Sequence, residues 1–355
     1  MKRGVRIFAA FLAAAVLLVG GYVVYVWAAY YRIPDNQKLA VQGDVQGQIE
    51  PGIPYTCLSW NIGFGAYSDD YSFFMDGGTE SRAYSAEAVK QNTQGVLDRL
   101  KMQRPDFLLL QEVDTDSTRS YHVNQCNMLL LGMPGHDSVF AQNYDSPYLF
   151  YPITEPIGAS KSGILTISDK QITSGLRRSL PIEKGVRKLL DLDRCYSVSR
   201  IPISDGRELC LINLHLSAYS ADGAIAVEQL KMLLDDVEKE IAEGNAVICG
   251  GDFNQDLLGD SAAVFGVTGD YAWSQPFPTA LLPEDVTLVV PEGAEKPVPT
   301  ARNCDQAYQP GETFVLTIDG FLVSSQVHVT ACQAFDTGFR YTDHNPVQMT
   351  FVLDP

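Results

Sequence analysis

Basic residues are scarce in this 355-residue sequence, which has 26 Lys and Arg against 43 Asp and Glu and a formal net charge of −17. Four of the basic residues lie in the first 32 positions, so residues 33–355 keep 22 basic against 43 acidic side chains, a balance of −21. Such a domain repels polyanions and offers no basic stripe along which a nucleic-acid backbone could run. This argues against a dedicated binder of duplex nucleic acid. It leaves a metal site open, because divalent cations neutralise carboxylates locally.

Repetitive composition and metal-type cysteine spacing are also absent. The 29 Gly and 19 Pro have no period, which excludes a collagen-like or low-complexity chain, and 46% hydrophobic residues excludes disorder throughout. None of the seven cysteines forms a CxxC pair. Cys57, Cys210 and Cys249 lie in apolar runs and are expected to be small buried thiols. One or two disulfides are the alternative for an exported domain.

An uncharged run of 25 residues, Ile7–Tyr31, follows a basic start. A helix of this length exceeds the roughly 20 residues that cross a bilayer, and aromatic residues gather at its far end as at a membrane interface. We therefore predict an uncleaved single-pass anchor. The alternatives are a buried core helix and a cleaved signal peptide, which would have a shorter apolar stretch that ends in small residues. Because basic residues precede the run, the rest of the chain is expected outside the cytoplasm, at the cell membrane or, after cleavage, secreted.

Composition divides the chain into four parts. We predict a cytoplasmic N-terminus (residues 1–6), a transmembrane anchor (7–31), a polar linker (32–53) and one mixed α/β domain (54–355). Two irregular stretches inside that domain, residues 66–84 and 257–301, are long enough to be functional rims or insertions.

Hydrophobic periodicity places the main elements of the α/β domain. Short apolar runs predict strands at Tyr55–Ser59, Phe107–Leu110, Ile164–Ile167, Leu209–Leu214, Ala246–Cys249, Phe314–Ile318 and Gln348–Val352. One helix is predicted from a cap at Ser85 to about Met102. A second helix is predicted from about Ala224 to Ala242, with Gly244 as its stop.

Polar residues that could catalyse a reaction recur where the apolar runs end. A strand holds its terminal side chains rigidly, and neighbouring strands bring such ends together. In chain order the candidates are Asn61, Glu112, Asn213, His215, Asp252, Asn254, Asp319, Asp343 and His344. Their oxygens suit a hard cation such as Mg²⁺, and two imidazoles beside carboxylates suit acid–base work. Together they predict metal-assisted hydrolysis of a phosphate ester.

Each candidate also has a structural interpretation when it is taken singly. Asp252 in GGDFN could cap a turn, and His215 could be a satisfied core histidine. Asp343 and His344, before an Asn-Pro pair, could form an Asx turn. Glu112 fits a structural role least, because a carboxylate that ends LLL enters poorly solvated surroundings without an obvious partner. The order of the whole series therefore carries the prediction.

The series SWN, QEV, NLHL, GDFN, IDGFLV and TDHNPV resembles the endonuclease/exonuclease/phosphatase superfamily over residues 55–353. That group includes pancreatic-type deoxyribonucleases, abasic-site endonucleases, neutral sphingomyelinases and inositol polyphosphate phosphatases. The resemblance implies an α/β fold of four layers, an αββα sandwich in which two facing sheets carry helices outside. It also implies an active site at one edge of the sheets, where the strand ends converge.

The resemblance implies a metal side of this site. Glu112 would be the principal ligand of Mg²⁺, with Mn²⁺ as a substitute. Asn61 would contact metal or phosphate beside it, and Asp343 would touch the same side. Lys161 before a strand and Arg302 in PTARNCD are weaker candidates for substrate contacts, and a solvated surface lysine is the alternative for Lys161.

The resemblance implies acid–base residues opposite the metal. Asp252 would orient or deprotonate the attacking water, and Asn254 would bind a phosphate oxygen. His344, paired to Asp319, would polarise the phosphoryl group or act as acid or base. His215 is a further catalytic candidate, which abasic-site endonucleases generally lack and the other named groups resemble this chain in having.

These observations predict a membrane-anchored, exported, Mg²⁺-dependent phosphoric ester hydrolase with a monomeric catalytic domain. A phosphodiesterase acting on a small or lipid-linked substrate is favoured, because an anchor keeps the domain near a bilayer and the acidic charge disfavours nucleic acid. An extracellular nuclease of the same fold is the first alternative. A non-catalytic surface binding module is the alternative from another class.

Overall fold

Two seven-stranded β-sheets form the centre of the computed structural model, which describes residues 2–182, 192–218, 224–268, 275–293 and 297–354. Sheet I has the strand order β1 (Gln37–Leu39), β7 (Ser174–Ser179), β8 (Cys195–Pro202), β9 (Glu208–His215), β10 (Ala246–Asp252), β14 (Asp319–Ser324) and β11 (Val286–Val289). Sheet II has the order β15 (Val327–Ala334), β16 (Val347–Leu353), β3 (Tyr55–Asn61), β4 (Phe107–Ser117), β6 (Gly158–Ser168), β5 (Asp137–Leu149) and β2 (Val41–Gln42). A separate ribbon pairs β12 (Ala301–Arg302) with β13 (Val315–Leu316). The helices are α1 (Lys2–Ala29), α2 (Ala86–Gln103), α3 (Gln125–Gly132), α4 (Ala224–Ala242) and α5 (Ser261–Phe265).

The sheets pack face to face, and helices cover their outer faces. The core between the sheets includes Leu109 of sheet II and Ile248 of sheet I, both fully buried. Leu230 of α4 packs on the outer face of sheet I, while Val96 of α2 and Leu129 of α3 pack on the outer face of sheet II. The predicted four-layer αββα sandwich is confirmed.

Local sequence signals explain the ends of the two long helices in this sandwich. The Ser85 hydroxyl accepts a hydrogen bond from the backbone N–H of Ala88 at 3.1 Å and caps α2 as predicted. The other helix ends at Ala242, two residues before Gly244, which has a φ of 89°. Glycine adopts this left-handed conformation at little cost, so the predicted stop is confirmed.

The strand prediction at Phe314–Ile318 is correct only for Val315 and Leu316. Within that run β13 covers two residues, and the main strand begins afterwards, at Asp319. The run is buried in a small cluster with Ala301, and its backbone bonds go to loops: Thr317 and Ile318 accept from Leu257 and Phe253. Burial among loops therefore produced the apolar pattern of a strand. The other six predicted strands coincide with β3, β4, β6, β9, β10 and β16, whereas β5, β7, β8 and β15 were not predicted.

The segment predicted as a linker, residues 32–53, contributes to both sheets. Residues 37–39 pair with β7 of sheet I, and residues 41–42 pair with β5 of sheet II. Ile49 is fully buried in the core between the sheets. Gly and Pro near short apolar residues concealed these edge strands. In the irregular stretch of residues 257–301, residues 269–274 and 294–296 lie outside the described residues.

The N-terminal helix is long and apolar enough to cross a membrane. Its segment Arg3–Ala29 contains an 18-residue stretch with a mean hydropathy of 2.5 in which no residue is buried, whereas Val26 near its end is buried. All seven cysteines lie in described parts of the chain, where they are buried free thiols. The expectation of buried thiols for Cys57, Cys210 and Cys249 is confirmed.

Candidate active site

Three adjacent strands of sheet I bring one histidine and two carboxylates to the same edge. The parallel register of β9 and β10 places His215 beside Asp252, and the antiparallel register of β10 and β14 places Asp319 on the other side. The start of β14 therefore meets the ends of β9 and β10. His215 Nε2 lies 3.4 Å from Asp252 Oδ2. Gly251 permits the close approach of β9, because a Cβ there would lie 2.0 Å from the carbonyl oxygen of Leu214.

Sheet II supplies Asn61 and Glu112 from β3 and β4, which are parallel neighbours. Asn61 pairs in register with Gln111, so Glu112 lies one residue beyond it. The ladder between β4 and β6 shifts register between Leu110 and Val113, and Glu112 has a φ of 53°. A β-bulge with a left-handed residue re-aims a side chain, and here it directs the Glu112 carboxylate into the site.

The Asn61 carboxamide connects the two sheets across the site. Its Nδ2 donates to Asp252 Oδ2 at 3.0 Å and lies 3.4 Å from Glu112 Oε1, a longer contact. Its oxygen accepts from the backbone N–H of Gly63 at 3.0 Å. Gly63 has a φ of 50°, and a Cβ there would lie 2.6 Å from the Tyr67 ring. Glycine at this turn thus fixes the orientation of Asn61.

A histidine–aspartate pair completes the sheet I side of the site. His344 Nδ1 lies 2.8 Å from Asp319 Oδ2, and His344 Nε2 lies 3.8 Å from Asp252 Oδ2. The indole N–H of Trp60 donates to the carbonyl oxygen of His344 and holds its backbone in place. Asp343, the preceding residue, accepts from the hydroxyl of Thr342 at 3.1 Å.

The two histidines have opposite pKa shifts. Burial acts to lower the pKa of His344, but the carboxylates of Asp319 and Asp343 outweigh it and raise the pKa to about 10. Burial lowers the pKa of His215 well below its usual value, and the positive charge of Arg194 lowers it further. His344 is therefore the cationic imidazole at neutral pH and His215 the neutral one. Titratable groups whose pKa values are shifted in opposite directions are typical of acid–base sites.

These side chains line one cavity of about 430 Å³. The sequence-predicted residues among its lining are Asn61, Glu112, His215, Asp252, Asn254, Arg302, Asp343 and His344. Asp319 is fully buried behind His344. Asn254 donates a 2.8 Å hydrogen bond from Nδ2 to the carbonyl oxygen of Leu216, so its carboxamide oxygen remains to face a ligand.

The oxygen donors on the sheet II side fit a divalent cation. Burial raises the pKa of Glu112, so a cation beside it would stabilise the charged carboxylate. Together with Asp343 and the carboxamide of Asn61, this donor set suits a hard ion. Asp252, Asp319 and His344 also have ligand atoms within 4.8 Å of one another. In that group the Nδ1 of His344 is engaged by Asp319, which is the arrangement of an acid–base pair.

Lys161 and Arg302 differ from the expectation of substrate contacts. Lys161 is exposed on β6 and lies outside the lining of the described cavity, whereas the adjacent Ser162 lines it, because side chains alternate along a strand. The Lys161 prediction therefore has no support in the structure, and its solvated alternative agrees with the exposure. Arg302 lines the cavity, but its guanidinium donates to the carbonyl oxygens of Ser68 and Tyr71, so it holds the 66–84 stretch.

Sequence reasoning missed two buried arginines that line the cavity, Arg119 and Arg194. Arg119 forms a two-point ion pair with Asp114 and lies 3.9 Å above the Phe64 ring. Arg119 lies in a short 3₁₀ turn two residues beyond the end of β4, and Arg194 lies directly before β8. This position close to a strand end was the signal in the sequence that could have identified the two arginines.

Asn213 was a candidate from its position at a strand end, but it serves the fold. Its Nδ2 lies 3.2 Å from the carbonyl oxygens of both Leu110 and Leu165, and its oxygen accepts from Gln111 at 2.8 Å. It is fully buried and links β9 of sheet I to sheet II. This bridge fixes the distance between the sides that carry His215 and Glu112.

The model of the Endonuclease/Exonuclease/phosphatase family matches residues 58–344, so the chain belongs to this family. An endonuclease/exonuclease/phosphatase from Beutenbergia cavernae DSM 12333 has 17% identity and a TM-score of 0.59 over 85% of this chain and 72% of that chain. One from Bacteroides vulgatus has 17% identity and a TM-score of 0.55 over 85% and 100%. ANGEL2, described as a 2′,3′-cyclic phosphatase, has 15% identity and a TM-score of 0.54 over 90% and 99%. At these identities the likeness concerns the fold. No curated protein matches the chain.

Proposed function

We propose that this member of the endonuclease/exonuclease/phosphatase family is a membrane-anchored, extracytoplasmic, Mg²⁺-dependent phosphodiesterase. The observation that carries the proposal is the carboxamide of Asn61, which contacts both Glu112 and Asp252. It holds a metal-type carboxylate and a water-activating carboxylate in one cavity. A phosphoryl group between them would meet both kinds of group required for in-line displacement.

The residues of sheet I account for the proton transfers. Asp252 accepts the proton of the attacking water, whose oxygen bonds to phosphorus as the bond to the leaving oxygen breaks. His344, the cationic imidazole, gives a proton to the leaving oxygen, which yields an alcohol and a phosphomonoester. His344 stabilises the negative phosphoryl oxygens, and Asp319 orients its ring through the 2.8 Å contact. Asn254 positions a phosphoryl oxygen.

A divalent cation would be held by Glu112, with Asn61 and Asp343 beside it. When bound, Mg²⁺ supplies charge neutralisation on the phosphoryl oxygens, and Mn²⁺ would substitute for it. The raised pKa of half-buried Glu112 supports this assignment, because a carboxylate in that position gains from a cation.

The substrate class is that of small or lipid-linked phosphodiesters. Residues beyond position 32 include 22 basic and 43 acidic side chains. This negative charge disfavours polynucleotides and therefore favours a small or lipid-linked substrate over DNA. The fold is shared with ANGEL2, described as a 2′,3′-cyclic phosphatase, so a cyclic phosphodiester belongs among the substrates to be tested.

Hydrolysis by the full chain with Mg²⁺, with Mn²⁺ and with EDTA tests the proposal. The substrates are bis(p-nitrophenyl) phosphate, p-nitrophenyl phosphate, a 2′,3′-cyclic nucleotide and supercoiled DNA. We expect the soluble diester to be cleaved faster than the monoester, and EDTA to reduce the rate by at least about 100-fold. Turnover that EDTA leaves unchanged would overturn the metal assignment. Preferred cleavage of DNA would indicate the nuclease, and no turnover of any substrate would indicate a binding module.

A further inference from the structure

The loop of residues 148–157, called here the docking loop, exposes an unusual group of apolar side chains. Phe150, Tyr151 and Ile153 are 55%, 67% and 88% exposed. The loop has the sequence YLFYPITEPI, in which Glu155 is the one charged residue. Singly exposed apolar residues are normal on protein surfaces, whereas three within four positions indicate a binding surface.

This docking loop is bonded to the C-terminal part of α1. The backbone N–H groups of Tyr148 and Phe150 donate to the hydroxyls of Tyr25 and Tyr22 at 3.0 and 3.1 Å. The Tyr22 hydroxyl lies 3.3 Å from the carbonyl oxygen of Tyr148, and the rings of Tyr22 and Phe150 meet edge to face at 5.4 Å. The docking loop therefore has a fixed position along the apolar helix.

That position lies at the depth of a bilayer interface. A span that begins at Ile7 needs about 20 residues to cross the hydrocarbon core, so its far boundary falls close to Val26. At about 1.5 Å per residue, Tyr22 lies about 10 Å before the helix end at Ala29. A loop bonded to Tyr22 and Tyr25 must then sit among the headgroups and the outer ends of the acyl chains. Interfacial apolar segments are buried to similar depths, about 5–10 Å.

The hydrogen bonds suit such surroundings. Backbone polar groups that enter a membrane must find partners within the protein, since lipid tails offer none. Here the exposed N–H groups of Tyr148 and Phe150 are satisfied by two tyrosine hydroxyls, and the Tyr22 hydroxyl donates in turn to the carbonyl oxygen of Tyr148. The apolar side chains of the docking loop are left to face lipid.

The docking loop also forms one wall of the cavity mouth. Ile157 lines the cavity, as does Met75, which is 55% exposed. The rings of Tyr151 and Phe74 meet edge to face at 5.6 Å, and Phe73, beside Phe74, also lines the cavity. The mouth of the cavity is therefore continuous with the apolar surface.

We propose that the docking loop inserts into the outer leaflet and holds the cavity mouth against the bilayer, so that the substrate is the headgroup phosphodiester of a membrane lipid. This inference rests on the anchor and the phosphodiesterase activity proposed above. The loop has no basic residue and the domain is strongly acidic, so insertion is apolar and favours a zwitterionic surface over an anionic one. Hydrolysis of the lipid's phosphodiester bond by water yields an alcohol and a phosphomonoester, one of which stays in the bilayer.

The depth of the loop can be measured with a spin label. Ile153→Cys in the full chain is labelled with a nitroxide. The seven native cysteines are buried and should not react with the label. In phosphatidylcholine nanodiscs, the label at 153 should be more accessible to oxygen than to a water-soluble nickel chelate. The matched control is Leu131→Cys on α3, at a position 74% exposed, where the chelate should have the greater access. Equal, water-like access at both positions would overturn the insertion.

The substrate class can be measured with the same preparation. We compare Phe150→Ser/Tyr151→Ser/Ile153→Ser with a control, Met102→Ser/Leu131→Ser, whose positions are 68% and 74% exposed. The triple variant should lose at least tenfold in hydrolysis of phosphatidylcholine and phosphatidylethanolamine vesicles, and stay within twofold on soluble bis(p-nitrophenyl) phosphate. The control should match wild type on both, and salt should change neither result.

The outcomes separate the two proposals. Wild-type chain that cleaves the soluble diester but neither lipid, or a triple variant that cleaves lipid normally, would overturn the lipid substrate. Failure of the wild type on every phosphodiester would overturn the proposed function, while the nitroxide measurement would still decide whether the docking loop enters the bilayer.

Discussion

The two sides of the cavity are built in different ways. On the sheet I side, His215, Asp252 and Asp319 lie on adjacent strands in regular register, and Asp319 and Asp252 both lie near His344. On the sheet II side, Glu112 lies in a bulge with a left-handed backbone and has a long 3.4 Å contact to Asn61. The first side is preorganised by its own contacts, as proton transfer requires. The second leaves a half-buried carboxylate that gains from a cation.

Removing the sheet II carboxylate should have the largest effect. Glu112→Ala is expected to lower kcat/KM for bis(p-nitrophenyl) phosphate by at least about 10³-fold, because the metal ligand and the charge it balances are both lost. It should also abolish Mn²⁺ binding, measured by electron paramagnetic resonance. Asp116→Ala, from an exposed position of the same strand, is the matched control and should bind Mn²⁺ normally. Unchanged turnover in Glu112→Ala would remove the metal site from this side.

Removing the central carboxylate of sheet I should separate catalysis from metal binding. Asp252→Asn keeps the shape but cannot accept the proton of the water, so kcat is expected to fall by about 10²–10⁴-fold. Mn²⁺ binding should stay within a few-fold of wild type. Loss of Mn²⁺ binding equal to that of Glu112→Ala would show that both sides hold the ion. It would contradict the assignment of metal binding to the sheet II side alone.

His215 tests whether the sheet I side acts through two imidazoles. His215→Ala should lower kcat by about 100-fold, with little change in Mn²⁺ binding, because a group that contacts Asp252 is lost. The matched control is His122→Ala, since the His122 side chain is 66% exposed. A decrease of less than threefold would assign His215 to core packing.

Regular geometry explains what the sequence could predict. The carboxyl ends of parallel strands share an edge, so the last residues of β3, β9 and β10 could be expected at one edge before their contacts were known. Asn61, His215 and Asp252 are of this kind. Glu112 could be identified as a charge after an apolar run, but the bulge that aims it has no sequence signature.

Irregular geometry explains what could not be predicted. The register between β4 and β6 shifts twice, so no count of residues tells which of Lys161 and Ser162 faces the cavity. Arg119 and Arg194 lie just outside strands, where neighbouring residues give no period to follow. Asn213 has the same position and chemistry as a catalytic residue, and its hydrogen bonds to the other sheet are what assign it to the fold.

Replacing Asn213 should have the smallest effect on activity, because this residue joins the two sides of the site without lining the cavity. Asn213→Leu leaves Gln111 without its 2.8 Å acceptor and is expected to lower the free energy of unfolding by about 1–3 kcal/mol, measured by urea denaturation. Asn127→Leu, on an exposed position of α3, is the matched control and should stay within about 0.5 kcal/mol. Because the residues on each side keep their own contacts, kcat should fall less than tenfold. A larger loss of kcat at unchanged stability would mean that the spacing of the sheets, rather than the contacts within each side, controls the reaction.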